Sequence, residues 1–181
     1  MTKIIAFSGV SNSGKTTLIE GLCKILIPEF KVGVIKHDPK NKVVFDTIGK
    51  DSYKFFETGA NVAVISPNQT TIRLNKGLQN DIVMDLLNHC EPLDYIFIEG
   101  FKTMPYRRIC VVRDEFVEED MQNADAIATT NLINPASSTN LANPINPANS
   151  INPANSAFNG KAILDLNNHC DILRWIDALR W

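Results

Sequence analysis

The sequence has no run of about 18 apolar residues, no cluster of lysines and arginines, and no cysteine pair at metal-binding spacing. Each absence removes a class of protein. Without the long apolar run, no segment reads as a transmembrane helix. The apolar stretch 4–7 is too short for a secretory leader and leads straight into a glycine-containing loop. With no basic run and a net charge of −2, bulk electrostatics give nucleic acid no footing. A polyanionic small molecule is still allowed, because it needs only a local pocket. Cys23, Cys90, Cys110 and Cys170 are scattered, as are His37, His89 and His169, so no zinc spacing exists. The thiols read as reduced and mostly structural, in a cytoplasmic protein.

What is present suits one domain over 1–181, with 44% hydrophobic and 21% charged residues. Strands are expected at 3–8, 31–36, 61–66, 70–74, 93–98, 109–113, 125–129 and 162–166. Helices are expected at 15–27, 51–58, 78–90 and 171–179, the third facing inward with Ile82, Leu86 and Leu87. Alternation of strand and helix predicts an α/β, three-layer fold with a mainly parallel sheet. Pro67-Asn68-Gln69 joins two strand-like runs as a local antiparallel hairpin. Residues 131–159 differ: nine Asn, four Pro and no charge, with INPANS repeated at 145–150 and 151–156. Proline removes backbone donors and Asn favours turns, so this tract reads as a low-complexity surface loop.

The most informative motif is Gly9-Val10-Ser11-Asn12-Ser13-Gly14-Lys15-Thr16, which fits G-x-x-x-x-G-K-[ST] between a strand and a helix. A loop that wraps phosphates must turn successive N–H groups inward, which glycine does cheaply. The helix that follows adds the positive end of its dipole. Lys15 would reach the β- and γ-phosphates and Thr16 would bind Mg²⁺. A chance loop with a surface lysine is the competing reading, and the flanking strand and helix argue against it.

Glu99 ends an apolar strand, where a P-loop site needs a carboxylate for its metal ion, with Gly100 beside it. Asp94, at the other end of that strand, reads as a surface or capping residue. Lys36-His37-Asp38 ends the second strand on the same sheet edge. Asp38 could bind Mg²⁺-bound water or orient an attacking water, and His37 could touch a ligand or be structural. Lys50 could face an anion, and Asp51 or Ser52 could cap the helix that starts there. Lys102 is a candidate second cation. Arg107, Arg108 and Arg113 could bind a further anion or a partner, or lie solvated at a strand edge.

Asn-Ser-Gly-Lys-Thr-Thr-Leu at 12–18, Val-Ile-Lys-His-Asp at 34–38, Gly-Lys-Asp-Ser-Tyr at 49–53, Thr-Gly-Ala at 58–60 and Glu-Gly-Phe-Lys at 99–102 together resemble the MobB family. These are the molybdopterin-guanine dinucleotide biosynthesis adaptor proteins. Pro39 and Lys40 depart from the pattern, standing where family members often carry histidines. The resemblance implies a P-loop NTPase-like fold, GTP and Mg²⁺ as ligands, and a homodimer with weak GTPase activity. It further implies work beside the guanylyltransferase, MobA, with molybdopterin as a possible ligand. It assigns nucleotide binding to Gly9, Ser11, Asn12, Ser13, Gly14, Lys15, Thr16 and Thr17. His37, Lys50, Asp51, Gly100 and Lys102 are further candidates, metal binding falls on Thr16 and Glu99, and catalysis on Lys15 and Asp38. Two other classes share the P-loop. A small-molecule kinase would need an acceptor pocket and an arginine-bearing lid, yet the chain has six arginines and none clusters before residue 107. A signalling switch would need a loop that orders around the γ-phosphate, a role open to residues 37–50.

Overall fold

The computed structural model describes residues 1–113, 117–130 and 160–181. The low-complexity tract expected at 131–159 lies outside them. The chain divides into two compact units, residues 1–37 with 91–181 and residues 38–90.

The first unit is built on six parallel strands: β1 (Lys3–Ser8), β2 (Val32–Lys36), β5 (Tyr95–Glu99), β6 (Arg107–Val112), β7 (Ala126–Thr129) and β8 (Ala162–Asp165). Their order across the sheet is β2-β5-β1-β6-β7-β8. The period of two sorts the side chains onto two faces. Ile5 and Phe7, Tyr95 and Phe97, Ile109 and Val111, and Ala126 and Ala128 share one face. They pack under α1 (Lys15–Leu26) and α5 (His169–Ala178), which contribute Leu18, Ile19, Leu22, Leu26, Ile172, Leu173 and Ile176. Cys110, Val112 and Ile127 face the other way, against Met121 and Ala124. Met121 sits on α4 (Glu118–Gln122), a short acidic helix that the sequence pattern does not signal. Asp94 accepts the Lys31 backbone N–H at 2.8 Å, which fits the capping role expected of it.

The second unit holds α2 (Asp51–Glu57), the hairpin of β3 (Val62–Ser66) and β4 (Gln69–Arg73), and α3 (Asn80–Cys90). The hairpin is antiparallel, in register from Val62 opposite Arg73 to Ser66 opposite Gln69. Asp46 ties the irregular segment before α2 to this unit, accepting from Ser52 and from Arg73 at 3.0 Å. The Arg73 guanidinium also lies 3.6 Å from the Phe56 ring centroid. The inward face of α3 differs from expectation. Ile82 and Leu86 are 49% and 42% exposed. Its less exposed stripe is Asn80, Val83, Met84, Leu87 and Asn88, a complete i, i+3, i+4, i+7, i+8 set. Two polar residues in that stripe hid it from a reading based on apolar side chains.

Candidate functional site

The loop between β1 and α1 leaves the carboxyl edge of the central strand. Gly9, Asn12 and Gly14 have φ of 132°, 64° and 99°, so the loop is built on the left-handed backbone its motif requires. A Cβ on Gly9 would stand 2.3 Å from the Val111 carbonyl oxygen. The first turn of α1 has no acidic residue and no side-chain cap, which leaves its N–H groups available to an anion. Ser11, Asn12 and Thr17 are exposed on this loop and first turn, whereas Ser13 is buried.

The Lys15 ammonium lies across the loop. It donates to the carbonyls of Gly9 at 3.1 Å and Val10 at 2.6 Å, and to the Ser13 hydroxyl at 3.3 Å. Burial lowers its pKa, against the opposing pull of Glu99. One strand over, the parallel register sets Glu99 beside both Phe7 of β1 and Lys36 of β2. Its carboxylate accepts from the Thr16 hydroxyl at 3.1 and 3.2 Å, and Lys36 Nζ approaches to 3.4 Å. Two oxygens in adjacent positions on Mg²⁺, each at 2.0–2.1 Å, stand about 3 Å apart. The Thr16–Glu99 pair therefore has the spacing and the hard oxygen chemistry that this ion takes. Among the described residues no group of three or more His, Cys, Asp or Glu could hold a metal ion.

The segment after Glu99 is tightly specified. Gly100 has φ of 100° and its N–H donates to the Phe7 carbonyl at 3.0 Å. A Cβ there would meet His37 Cβ at 2.9 Å. Phe101 takes φ of 49°, and its ring stacks on His37 with centroids 4.1 Å apart. His37 is thus placed at the site edge, engaged with an aromatic neighbour. Lys102 pairs with Asp120 of α4 at 2.5 Å, so this candidate cation already has a buried carboxylate partner.

Asp38, Lys50 and Asp51 belong to the second unit. The Asp38 carboxylate accepts the N–H groups of Lys42 at 2.5 Å and Val43 at 2.7 Å, and these bonds, Val43 first, lower its pKa. Lys50 is the N-cap of α2 through its backbone alone. Neither Asp51 nor Ser52 caps the helix as expected. Asp51 sits in its first turn, 3.7 Å from Lys54, and Ser52 donates to Asp46 instead.

The arginines are the main surprise. Arg108 is 1% exposed, so neither a second-ligand role nor a solvated strand edge describes it. Its guanidinium donates to the carbonyls of Phe101 and Met104, both at 2.9 Å. Arg107 pairs with Asp125 at 2.8 Å. Arg113 lies against the P-loop, its guanidinium 3.4 Å from the place a Gly14 Cβ would take. Its signal in the sequence is its position at the carboxyl end of a strand next to β1.

The family model for molybdopterin guanine dinucleotide synthesis protein B, MobB, matches residues 4–133. The molybdopterin-guanine dinucleotide biosynthesis adapter protein of Haemophilus influenzae is 31% identical over 119 residues, 64% of this chain and 66% of the relative. A relative from Methanocaldococcus jannaschii is 33% identical over 100 residues, 55% of this chain but only 41% of its own length. The chain thus spans less than two thirds of either relative. The crystal structure of Bacillus subtilis MobB superposes with a TM-score of 0.71 at 22% identity, covering 98% of both chains, which shows a shared fold. With the family model covering most of its length, the chain belongs to the MobB family of molybdopterin guanine dinucleotide synthesis proteins.

Proposed function

We propose that this protein is a GTP-binding adaptor in the formation of the guanine dinucleotide of molybdopterin. It works beside the guanylyltransferase and hydrolyses GTP only slowly. The observation that carries this reading is the Thr16 hydroxyl 3.1 Å from the Glu99 carboxylate, at the mouth of a loop crossed by Lys15. Nucleotide phosphates would exchange the carbonyls around Lys15 for charged oxygens, a stronger class of hydrogen bond. The first-turn N–H groups of α1 would take further phosphate oxygens. Thr16 and Glu99 would hold Mg²⁺, which when bound neutralises charge on the β- and γ-phosphates. Guanine as the base, molybdopterin as a further ligand and the cytoplasm as the compartment belong to the same proposal, which leans on the family here.

A homodimer is part of the same proposal. The hairpin leaves Ile65 and Ile72 81% and 53% exposed, apolar area that a second copy would cover. Sedimentation velocity at micromolar concentration reads this directly, and a strictly monomeric protein would contradict it. Among the described residues no helix is long and apolar enough to cross a membrane.

Calorimetric titration with GTP and with ATP, each with Mg²⁺, tests the central claim beside Lys15→Ala. The expected result is at least tenfold preference for GTP, with binding lost in the variant. ATP preference would overturn the guanine assignment, and binding unaffected by Lys15→Ala would overturn the site.

A further inference from the structure

Among the described residues the Arg108 guanidinium has no carboxylate within hydrogen-bond reach; it donates to three backbone carbonyls. They are Phe101 and Met104 at 2.9 Å and Gly100 at 3.5 Å. Burial lowers the pKa of this arginine. A guanidinium is costly to bury, and a fork of donors matched to fixed acceptors is what offsets that cost. All three acceptors lie within five residues after Glu99. One of them, Phe101, is a non-glycine residue with φ of 49°, a strained conformation that persists only where the surroundings enforce it. The backbone of Arg108 is itself fixed, its N–H donating to Asp125 at 2.8 Å and its carbonyl accepting the Asp125 N–H at 2.9 Å. Strand β6 therefore holds the segment that follows the carboxylate of β5.

We infer that Arg108 is a positioning residue for the metal-binding carboxylate: through the 100–104 carbonyls it sets how the chain leaves Glu99, and so where the Glu99 carboxylate stands relative to Thr16. The inference rests on the nucleotide and Mg²⁺ reading above and adds a residue that touches neither ligand. It separates two quantities. Phosphate binding by the P-loop does not depend on Arg108, whereas the gain in GTP affinity on adding Mg²⁺ does.

The test measures GTP affinity in Mg²⁺ and in EDTA for the wild type, Arg108→Met and Arg108→Lys, after circular dichroism confirms folding. Arg108→Met is expected to keep its affinity in EDTA within about twofold and to lose at least fivefold of the Mg²⁺ gain. Lysine keeps the charge but cannot fork to two carbonyls, so Arg108→Lys is expected to fall between. If Arg108→Met does not fold, a loss of about twofold or more in the Mg²⁺ gain of Arg108→Lys carries the test. An unchanged Mg²⁺ gain in the folded variants would overturn the role of Arg108 alone. A wild type that gains nothing from Mg²⁺ would overturn the metal reading and this inference with it.

Discussion

Gly9→Ala separates two effects that a P-loop glycine combines. Its φ of 132° is strained for any side chain, and the new Cβ would meet the Val111 carbonyl oxygen at 2.3 Å. Ordinary contact begins near 3.4 Å, so something must move by about 1 Å. Val111 belongs to β6, buried at 0% exposure in the middle of the sheet, and cannot give way cheaply. Backbone strain costs about 1–3 kcal/mol, and overpacking against fixed backbone adds about 1–3 kcal/mol. Gly160 supplies the control within the same unit. Its φ is 79° and none of the described residues comes within 4 Å of its would-be Cβ, so Gly160→Ala is set to carry the backbone effect alone. Urea unfolding of the nucleotide-free protein should show Gly9→Ala destabilised by about 2–6 kcal/mol, and Gly160→Ala by roughly half as much or less. Heating should show the same order, at about 2–4 °C for each kcal/mol. Equal losses in the two variants would refute the reasoning, because the contact with Val111 would then contribute nothing.

Two further predictions concern the strand ends around the loop. Burial pushes the Cys110 thiol from 9.0 up to about 11, so the folded protein holds that proton more tightly than the unfolded chain. Its contribution is complete below pH 9 and is lost as pH rises from 9 to about 11, about 2–3 kcal/mol in all. Cys110→Ala should flatten the fall in urea midpoint over that window, and parallel curves for the two proteins would contradict this. Glu99→Gln keeps the shape of the side chain but removes the charge that suits a divalent ion. It should lose about tenfold of the Mg²⁺ gain in GTP affinity, about 1.4 kcal/mol, with the affinity in EDTA held or improved; an undiminished Mg²⁺ gain would remove Glu99 from the site.

The parts of this structure legible in the sequence are those with dense local signals. The strands of the parallel sheet read as continuous apolar runs because both faces are covered, and the P-loop reads because its glycines and lysine are fixed in spacing. Glu99 was legible as the polar end of such a run. Arg108 was not. An arginine at the start of a strand reads as solvated, and its acceptors are backbone carbonyls, which leave no trace in side-chain identity. The pairing of Lys102 with Asp120 was not legible either, since Asp120 lies on a five-residue helix too short to show periodicity. The unit at 38–90 is marked by no change of composition at its borders, because it enters and leaves between β2 and β5 of an otherwise regular sheet.

The slow hydrolysis proposed above fits the way the charged groups are already committed. A general base must be free to accept a proton, with a pKa near working pH. Asp38 is a poor one on both counts. Its carboxylate receives two backbone N–H groups of its own loop, and those bonds hold its pKa below the ordinary value. Fast P-loop hydrolases also bring an arginine to the developing charge. Here the Arg108 guanidinium is spent on carbonyls, Arg107 on Asp125, Arg73 on Asp46 and Arg174 on Asp171, while Arg113 is the arginine that lies against the P-loop, at Gly14. Lys36 and Lys102 likewise have carboxylates within 4 Å. Lys15 differs, because its three hydrogen-bond partners are all neutral oxygens. It is the cation at the loop with most to gain from a phosphate, and it serves binding as much as turnover. Under the proposed reading, that charge would go to holding a triphosphate more than to cleaving it, as an adaptor that presents or senses GTP would need.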